Sequence, residues 1–199
     1  MGEHYYTENP NSEVKVKHFM HTIKNTSLNF TSVSGVFSFE QKIDKASEML
    51  IKNFTPSGNS LLDIGCGYGA IGLFLKTLFP EQKVHMIDVN RRAIEYASLN
   101  AASNHLEVVA YQSDLFSNIH TMSFDDLVTN PPIAAGKKLI TDLINQSWDY
   151  LNNHGSLWLV AFHNKGGSTL KDIMKARFGN VEDVEKGGGI RVYKSIKKG

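Results

Sequence analysis

The stretch Asp63-Ile-Gly-Cys-Gly-Tyr-Gly-Ala-Ile-Gly72 follows Ser60-Leu61-Leu62 and carries four glycines in ten residues. Glycine loses more backbone freedom on folding than any other residue, so such density needs a reason. Ser60–Ile64 reads as a buried strand and 69–79 as a helix closed by Pro80. The loop between them is a strand–turn–helix junction, where the backbone can approach a ligand and the helix N-terminus offers free N–H groups. Gly67-x-Gly69-x-x-Gly72 matches the dinucleotide fingerprint, and Gly65-x-Gly67-x-x-Ala70 matches it in a second register.

Outward from this loop the chain alternates. KVHMIDV reads as a strand, RRAIEYASLNAASN as a helix, LEVVAYQ and FDDLVTN as strands, and 137–155 as one long amphipathic helix capped by Gly155. SLWLVAF, the helix GSTLKDIMKARFG, and the strands NVEDVEK and IRVYKSI around a Gly-Gly-Gly turn complete it. Continuous apolar strands between helices predict an α/β, doubly wound, mostly parallel sheet covered on both faces. Residues 1–59 are predicted to be an N-terminal extension packed on the domain formed by 60–199, with a helix over 40–54 whose Ile43, Ala46, Met49 and Leu50 share one side.

The 199 residues are 41% hydrophobic and 21% charged, ordinary for one globular domain. The single cysteine, Cys66, excludes an internal disulfide framework. No apolar run reaches the roughly 20 residues of a membrane span, and the first residues lack the apolar core of a signal peptide. A cytoplasmic protein is the expectation. Net charge is +1, but residues 163–199 hold nine Lys/Arg against four Asp/Glu. That basic third either meets nucleic acid or is a solvated face.

Three acids fall at consecutive strand ends: Asp63, Asp88 and Asp114. Ligands of doubly wound sheets bind outside the carboxyl ends of the strands. Asp88 stands where a carboxylate accepts from ribose hydroxyls, a group shared by nicotinamide cofactors and S-adenosylmethionine. Asp63, just ahead of the glycines, would repel a pyrophosphate but suits a ligand with a sulfonium centre. It could equally cap the loop N–H groups. Asp114 with Leu115 could border an adenine.

Asn130-Pro131-Pro132-Ile133 supplies reaction chemistry. Pro131 and Pro132 disfavour helical geometry before them, so the segment is rigid and extended. An exocyclic amine whose two N–H groups are accepted by the Asn130 side-chain oxygen and the Pro131 carbonyl is oriented for attack on a methyl group. The positive charge growing on nitrogen is stabilised by the same oxygens. Eight histidines offer no metal set: His18 and His21 stand three apart with no ligand cluster to complete them, so no metal is expected.

With LLDIGCGYGAIG, MIDVN, QSDLF and TNPPI in place, the sequence resembles class I S-adenosylmethionine-dependent methyltransferases. SGVFS (34–38), NRRAIEYASLN and TNPPIAAGK narrow the resemblance to the small-domain (MTS) methyltransferases of the ribosomal RNA guanine-N2 type, over essentially the whole chain from HYYTENP onward. The resemblance implies a Rossmann-like seven-stranded sheet with an antiparallel last strand. It also implies S-adenosylmethionine as cofactor, held by Asp63, Gly65, Gly67, Gly69, Asp88, Val89, Asp114, Leu115 and Asn130. Asn130–Ile133 would meet the target amine, and Phe37 the substrate; Lys137, which follows IAAG beside the proposed site, either contacts substrate phosphate or begins a solvated helix. The expected partner is RNA, from the small ribosomal subunit. Ile133 departs from the aromatic residue common after Asn-Pro-Pro in enzymes acting on adenine or glutamine, which leaves guanine open. A protein glutamine methyltransferase, a non-catalytic RNA-binding module and a nicotinamide dehydrogenase are the competing readings.

Overall fold

The computed structural model describes residues 13–120 and 122–199; the HYYTENP stretch of the resemblance and Thr121 lie outside them. Strands β3 (Ser60–Ile64), β4 (Lys83–Asp88), β5 (Val109–Gln112), β6 (Phe124–Thr129), β7 (Leu151–Phe162), β8 (Glu182–Gly187) and β9 (Ile190–Ile196) form one sheet in the order β5-β4-β3-β6-β7-β9-β8. Neighbours from β5 to β7 are parallel, and β9 runs antiparallel to both β7 and β8. The fold is the doubly wound α/β sheet with an antiparallel last strand that the sequence implies.

Side chains along each central strand alternate between two cores, as a period of two requires. Leu61, Met86, Val128 and Val160 face the layer of helices α1 (Lys45–Asn53), α2 (Ala70–Leu78) and α3 (Arg91–Ser103). Leu62, Ile87, Leu127 and Leu159 face α4 (Lys137–Ser147) and α5 (Gly167–Phe178).

Two helix boundaries differ from the sequence reading. The long helix expected over 137–155 ends at Ser147, and Leu151 already belongs to β7. Gly155 is no helix cap: a Cβ there would stand 2.8 Å from the Asp125 carbonyl oxygen, so glycine permits close strand approach. The helix expected over 40–54 begins only at Lys45. Asp44 is its N-cap, accepting from the Ala46 and Ser47 N–H groups at 3.0 Å each.

Ahead of α1, β1 (Val16–Ile23) and β2 (Thr26–Val33) form an antiparallel hairpin. Its two-residue turn, Lys24-Asn25, has φ of 48° and 63°, the positive pair that matches strand twist. The hairpin docks through two asparagines one helical turn apart. Asn100 accepts from the Thr31 N–H (2.8 Å) and donates to the Thr31 carbonyl (3.1 Å). Asn104 does the same with Asn29, at 2.9 and 2.7 Å. The side-chain amides of Asn100 in α3 and of Asn104, its C-cap, thus stand where a neighbouring strand's backbone would, and satisfy an edge that would otherwise be exposed. Phe19 and Phe30 of the hairpin pack on Tyr68 and Phe74.

Candidate active site

The strand order reverses at β3, with β4 on one side and β6 on the other. At that switch point a cavity of about 350 Å³ opens beyond the carboxyl ends of β3, β4 and β6. Phe37, Gly65, Asp88, Val89, Asp114, Leu115, Asn130 and Pro132 line it. Gly67 borders a smaller adjoining cavity together with Asp44, Ser47 and Asn130.

Gly65 has φ +70°, and a Cβ built on it meets nothing within 4 Å, so it would project into open space at the cavity wall. Gly69 (φ +93°) faces Leu73 and Ala97 instead, and serves the packing of α2 on α3. At Gly72 a Cβ would meet the Met86 sulfur at 2.7 Å, which makes it a helix–sheet packing glycine.

Asp88 ends β4. Its Oδ2 accepts from the Gly67 N–H and its Oδ1 from the Asn90 N–H, both at 2.9 Å. A carboxylate has about four acceptor sites, so capacity remains for hydroxyl donors in the cavity. Burial raises the Asp88 pKa, while the N–H groups of Asn90, Gly67 and Val89 oppose that rise. Asp114 stands exposed at the rim. Leu115, beside it, holds φ +46°, an uncommon conformation for a residue with a side chain. Ile87, Leu139 and Leu143 add apolar wall that the sequence reading did not assign. A carboxylate beside an apolar slot, with an open glycine at its end, fits an adenosine-bearing ligand.

Asp63 is placed differently from the expectation of a ligand contact. Its side chain is wholly buried and absent from the cavity wall; Oδ2 accepts from the Gly72 N–H at 2.9 Å. Burial raises its pKa to about 7; the Gly72 N–H works against this and the charge of Asp88 adds to it. Asp63 therefore braces the first turn of α2 from behind the glycine loop. Cys66 is buried, and burial together with Asp88 and Asp63 pushes its thiol well above the ordinary range, which removes it as a nucleophile at neutral pH.

Asn130 follows β6. Its Nδ2 donates to the Ser47 hydroxyl (3.0 Å) and to the Asp44 carboxylate (3.2 Å). Both partners come from the N-terminus of α1, a link with no signature in the Asn-Pro-Pro motif itself. Pro131 is buried and Pro132 lines the cavity. Ile133 opens a 3₁₀ turn (Ile133–Ala135) outside the cavity wall, its Cγ2 3.5 Å from the Cβ position of Gly166. Lys137 is exposed at the first turn of α4, also outside the cavity wall. The Ser34–Phe37 segment reaches the site because α3 holds it: Asn90 Nδ2 donates to the Gly35 carbonyl (2.7 Å) and Arg92 Nη1 to the Ser34 carbonyl (2.8 Å). Phe37 is 41% exposed at the mouth.

The basic C-terminal third does not form one open face. Lys171, Lys186 and Arg191 converge on Asp183 at 2.8, 2.9 and 3.2 Å. Burial works against Asp183 ionising, but Lys171 and Lys186 hold its pKa down to about 2. Lys197 donates to the Trp148 and Leu151 carbonyls, and Lys194 lies 4.6 Å from the Trp158 ring centroid. His18 and His21 alternate to opposite faces of β1, as residues three apart in a strand must. Among the described residues no helix is long and apolar enough to cross a membrane.

The chain is 39% identical to the uncharacterized protein YbxB of Bacillus subtilis over 99% of its own length and 100% of that protein. It is 34% identical to ribosomal RNA small subunit methyltransferase C of Psychromonas ingrahamii, over 92% of this chain and 52% of the relative. The chain spans about half the length of such relatives. Among solved structures, the Thermus thermophilus 16S rRNA N2 G1207 methyltransferase, in complex with AdoMet and guanosine, superposes with a TM-score of 0.80 at 22% identity. The match covers 95% of this chain and 52% of that one. The family model described as methyltransferase small domain matches residues 27–194. The chain belongs to the methyltransferase small domain family.

Proposed function

We propose that this methyltransferase transfers the methyl group of S-adenosylmethionine to an exocyclic amine of RNA, the N2 of a guanine in small-subunit ribosomal RNA. The observation that carries the reading is the placement of Asn130. It follows β6 directly and stands in the wall of the cavity that also contains Asp88, with its Nδ2 engaged at the N-terminus of α1, so its Oδ1 is the end left for an incoming donor. The ribosomal RNA small subunit methyltransferases among its relatives support RNA as the substrate class.

S-adenosylmethionine supplies, when bound, a methyl group on a sulfonium, already activated for displacement. Asp88 accepts from the ribose hydroxyls, and Leu115, Leu139 and Leu143 flank the adenine. Asp114 accepts from the adenine amine. Gly65 and Gly67 give the methionine end its room. Asn130 Oδ1 and the Pro131 carbonyl accept from the two N–H groups of the target amine and hold its nitrogen toward the methyl group. The charge that grows on nitrogen meets two oxygens already in place, which need not reorganise. The methylated amine is acidic, so it loses its proton without a strong base. Pro132 and Ile133 fix the path of the Pro131 carbonyl. Phe37 at the mouth contacts the nucleotide, and Lys137, exposed at the start of α4 outside the cavity, meets its phosphates. A paired guanine has to leave its stack to reach the cavity.

The test is transfer of labelled methyl from S-adenosylmethionine to unmodified small ribosomal subunits, followed by nucleoside analysis. N2-methylguanosine is expected. Label in glutamine of a protein, in adenosine, or in no acceptor at all would overturn the assignment.

A further inference from the structure

We propose that Asp44, acting with Ser47, is the positioning residue for Asn130: the carboxylate that caps α1 dictates which end of the Asn130 amide faces the reacting amine. The inference rests on the role of Asn130 given above. An asparagine amide is nearly symmetric in shape, and its two ends differ in hydrogen-bonding sense. The reaction needs the oxygen. Turned over, the amide would offer N–H donors to an amine that is itself a donor, and no bond would form.

Two acceptors at the start of α1 settle the choice. Asn130 Nδ2 lies 3.2 Å from Asp44 Oδ1 and 3.0 Å from Ser47 Oγ. A carboxylate has no proton to give, so an amide oxygen in that position would be repelled. Asp44 Oδ1 is itself fixed, because it accepts from the Ala46 and Ser47 N–H groups at 3.0 Å each. Helix α1 is fixed in turn by Leu50 and Ile51, both wholly buried. The chain of constraint runs from the core through the helix cap to the amide. Donation to an anion also polarises the amide and enriches its oxygen, which strengthens it as the acceptor of a nitrogen gaining positive charge. Asp44, Ser47 and Asn130 border the same small cavity beside the glycine loop, so the arrangement sits against the reacting region. A segment ahead of the glycine loop thereby sets the geometry of the Asn-Pro-Pro motif.

The test uses variants that keep the helix cap. Serine and asparagine cap helices about as well as aspartate. Asp44→Ser is too short to hold Asn130, whereas Asp44→Asn retains an acceptor in place. Asp44→Ser is expected to lower kcat about tenfold or more, the loss of one charge-assisted bond, with the Kd of S-adenosylmethionine little changed. Asp44→Asn is expected to recover most of that loss. Nuclear magnetic resonance gives a readout independent of turnover. The side-chain NH₂ signal of Asn130, identified by its disappearance in Asn130→Ala, is expected to shift and exchange faster with solvent in Asp44→Ser and in Ser47→Ala. An unmoved Asn130 signal in Asp44→Ser would overturn the inference, and so would full kcat or a loss confined to cofactor affinity. If the wild-type chain methylates no RNA, the proposed substrate fails, and the resonance experiment still decides whether Asp44 holds Asn130.

Discussion

The carboxylate of Asp88 accepts from the Gly67 N–H at 2.9 Å, and so ties the end of β4 to the glycine loop that ends β3. One residue thus shapes the loop and faces the cavity. Asp88→Ala is expected to weaken S-adenosylmethionine binding at least tenfold, since a hydrogen bond to a charged group is worth about 1.5–3 kcal/mol. Titration calorimetry on the folded variant checks this, and unchanged affinity would contradict the ribose role.

Gly65 and Gly72 separate two uses of glycine in one loop. Gly65→Ala places a methyl group at the cavity wall, where no atom lies within 4 Å, so beyond the roughly 1–2 kcal/mol of backbone strain that its φ of +70° imposes on alanine, it is expected to act on cofactor affinity. Gly72→Ala drives a Cβ into buried Met86 and is expected to cost about 1–3 kcal/mol in stability. Urea unfolding and calorimetry on both variants measure the two effects. Equal loss of affinity with equal loss of stability would erase the distinction.

Asp63 makes stability depend on pH. Its folded pKa, about 7, lies above the ordinary aspartate value of 3.8, so the native state binds the extra proton between those values. The contribution of this proton is fully present below about pH 4 and is lost as pH rises through 7. Asp63→Asn keeps the acceptor for the Gly72 N–H and cannot ionise. Its Tm is expected to exceed wild type by about 5 °C at pH 8 and by much less at pH 4. A Tm difference that does not change between these pH values would contradict the placement of Asp63.

Asn100 is 1% exposed and bonds Thr31 at both its N–H and its carbonyl, and Tyr68 at its carbonyl. Asn100→Ala strands those groups, each at a cost of about 1–3 kcal/mol. A lower urea midpoint and faster amide exchange across β2 are expected, with α4 and α5 unaffected. Unchanged exchange in β2 and wild-type stability would show that the hairpin is held by its aromatic contacts alone.

The sheet was legible because its signals are strong and local. Ser60–Ile64 and Lys83–Asp88 are apolar runs bounded by a glycine loop and a capped helix, and their alternation admits few topologies. The stretch after Ser147 was not legible, because Trp148, Tyr150 and Leu151 continue a helical spacing; the parallel pairing of Leu151 with Phe124 decides it, and that pairing is long-range. At the site, the strand-end acids and Asn130 mark themselves by position. The difference between Asp88, in the cavity wall, and Asp63, behind it, depends on burial and on which backbone N–H each accepts. Asp44 reads in the sequence as one polar residue within a helix. Its bond to Asn130 spans 86 residues and exists only once α1 has docked on the sheet.

Asn130→Ala gives the most direct test of the central claim. Single-turnover methyl transfer to the RNA acceptor and calorimetry with S-adenosylmethionine are measured on the same preparation. The methyl-transfer rate is expected to fall by about 10²-fold or more, as when one preorganised group is removed from a transition state, while cofactor affinity stays near wild type. A normal transfer rate in Asn130→Ala would contradict the account.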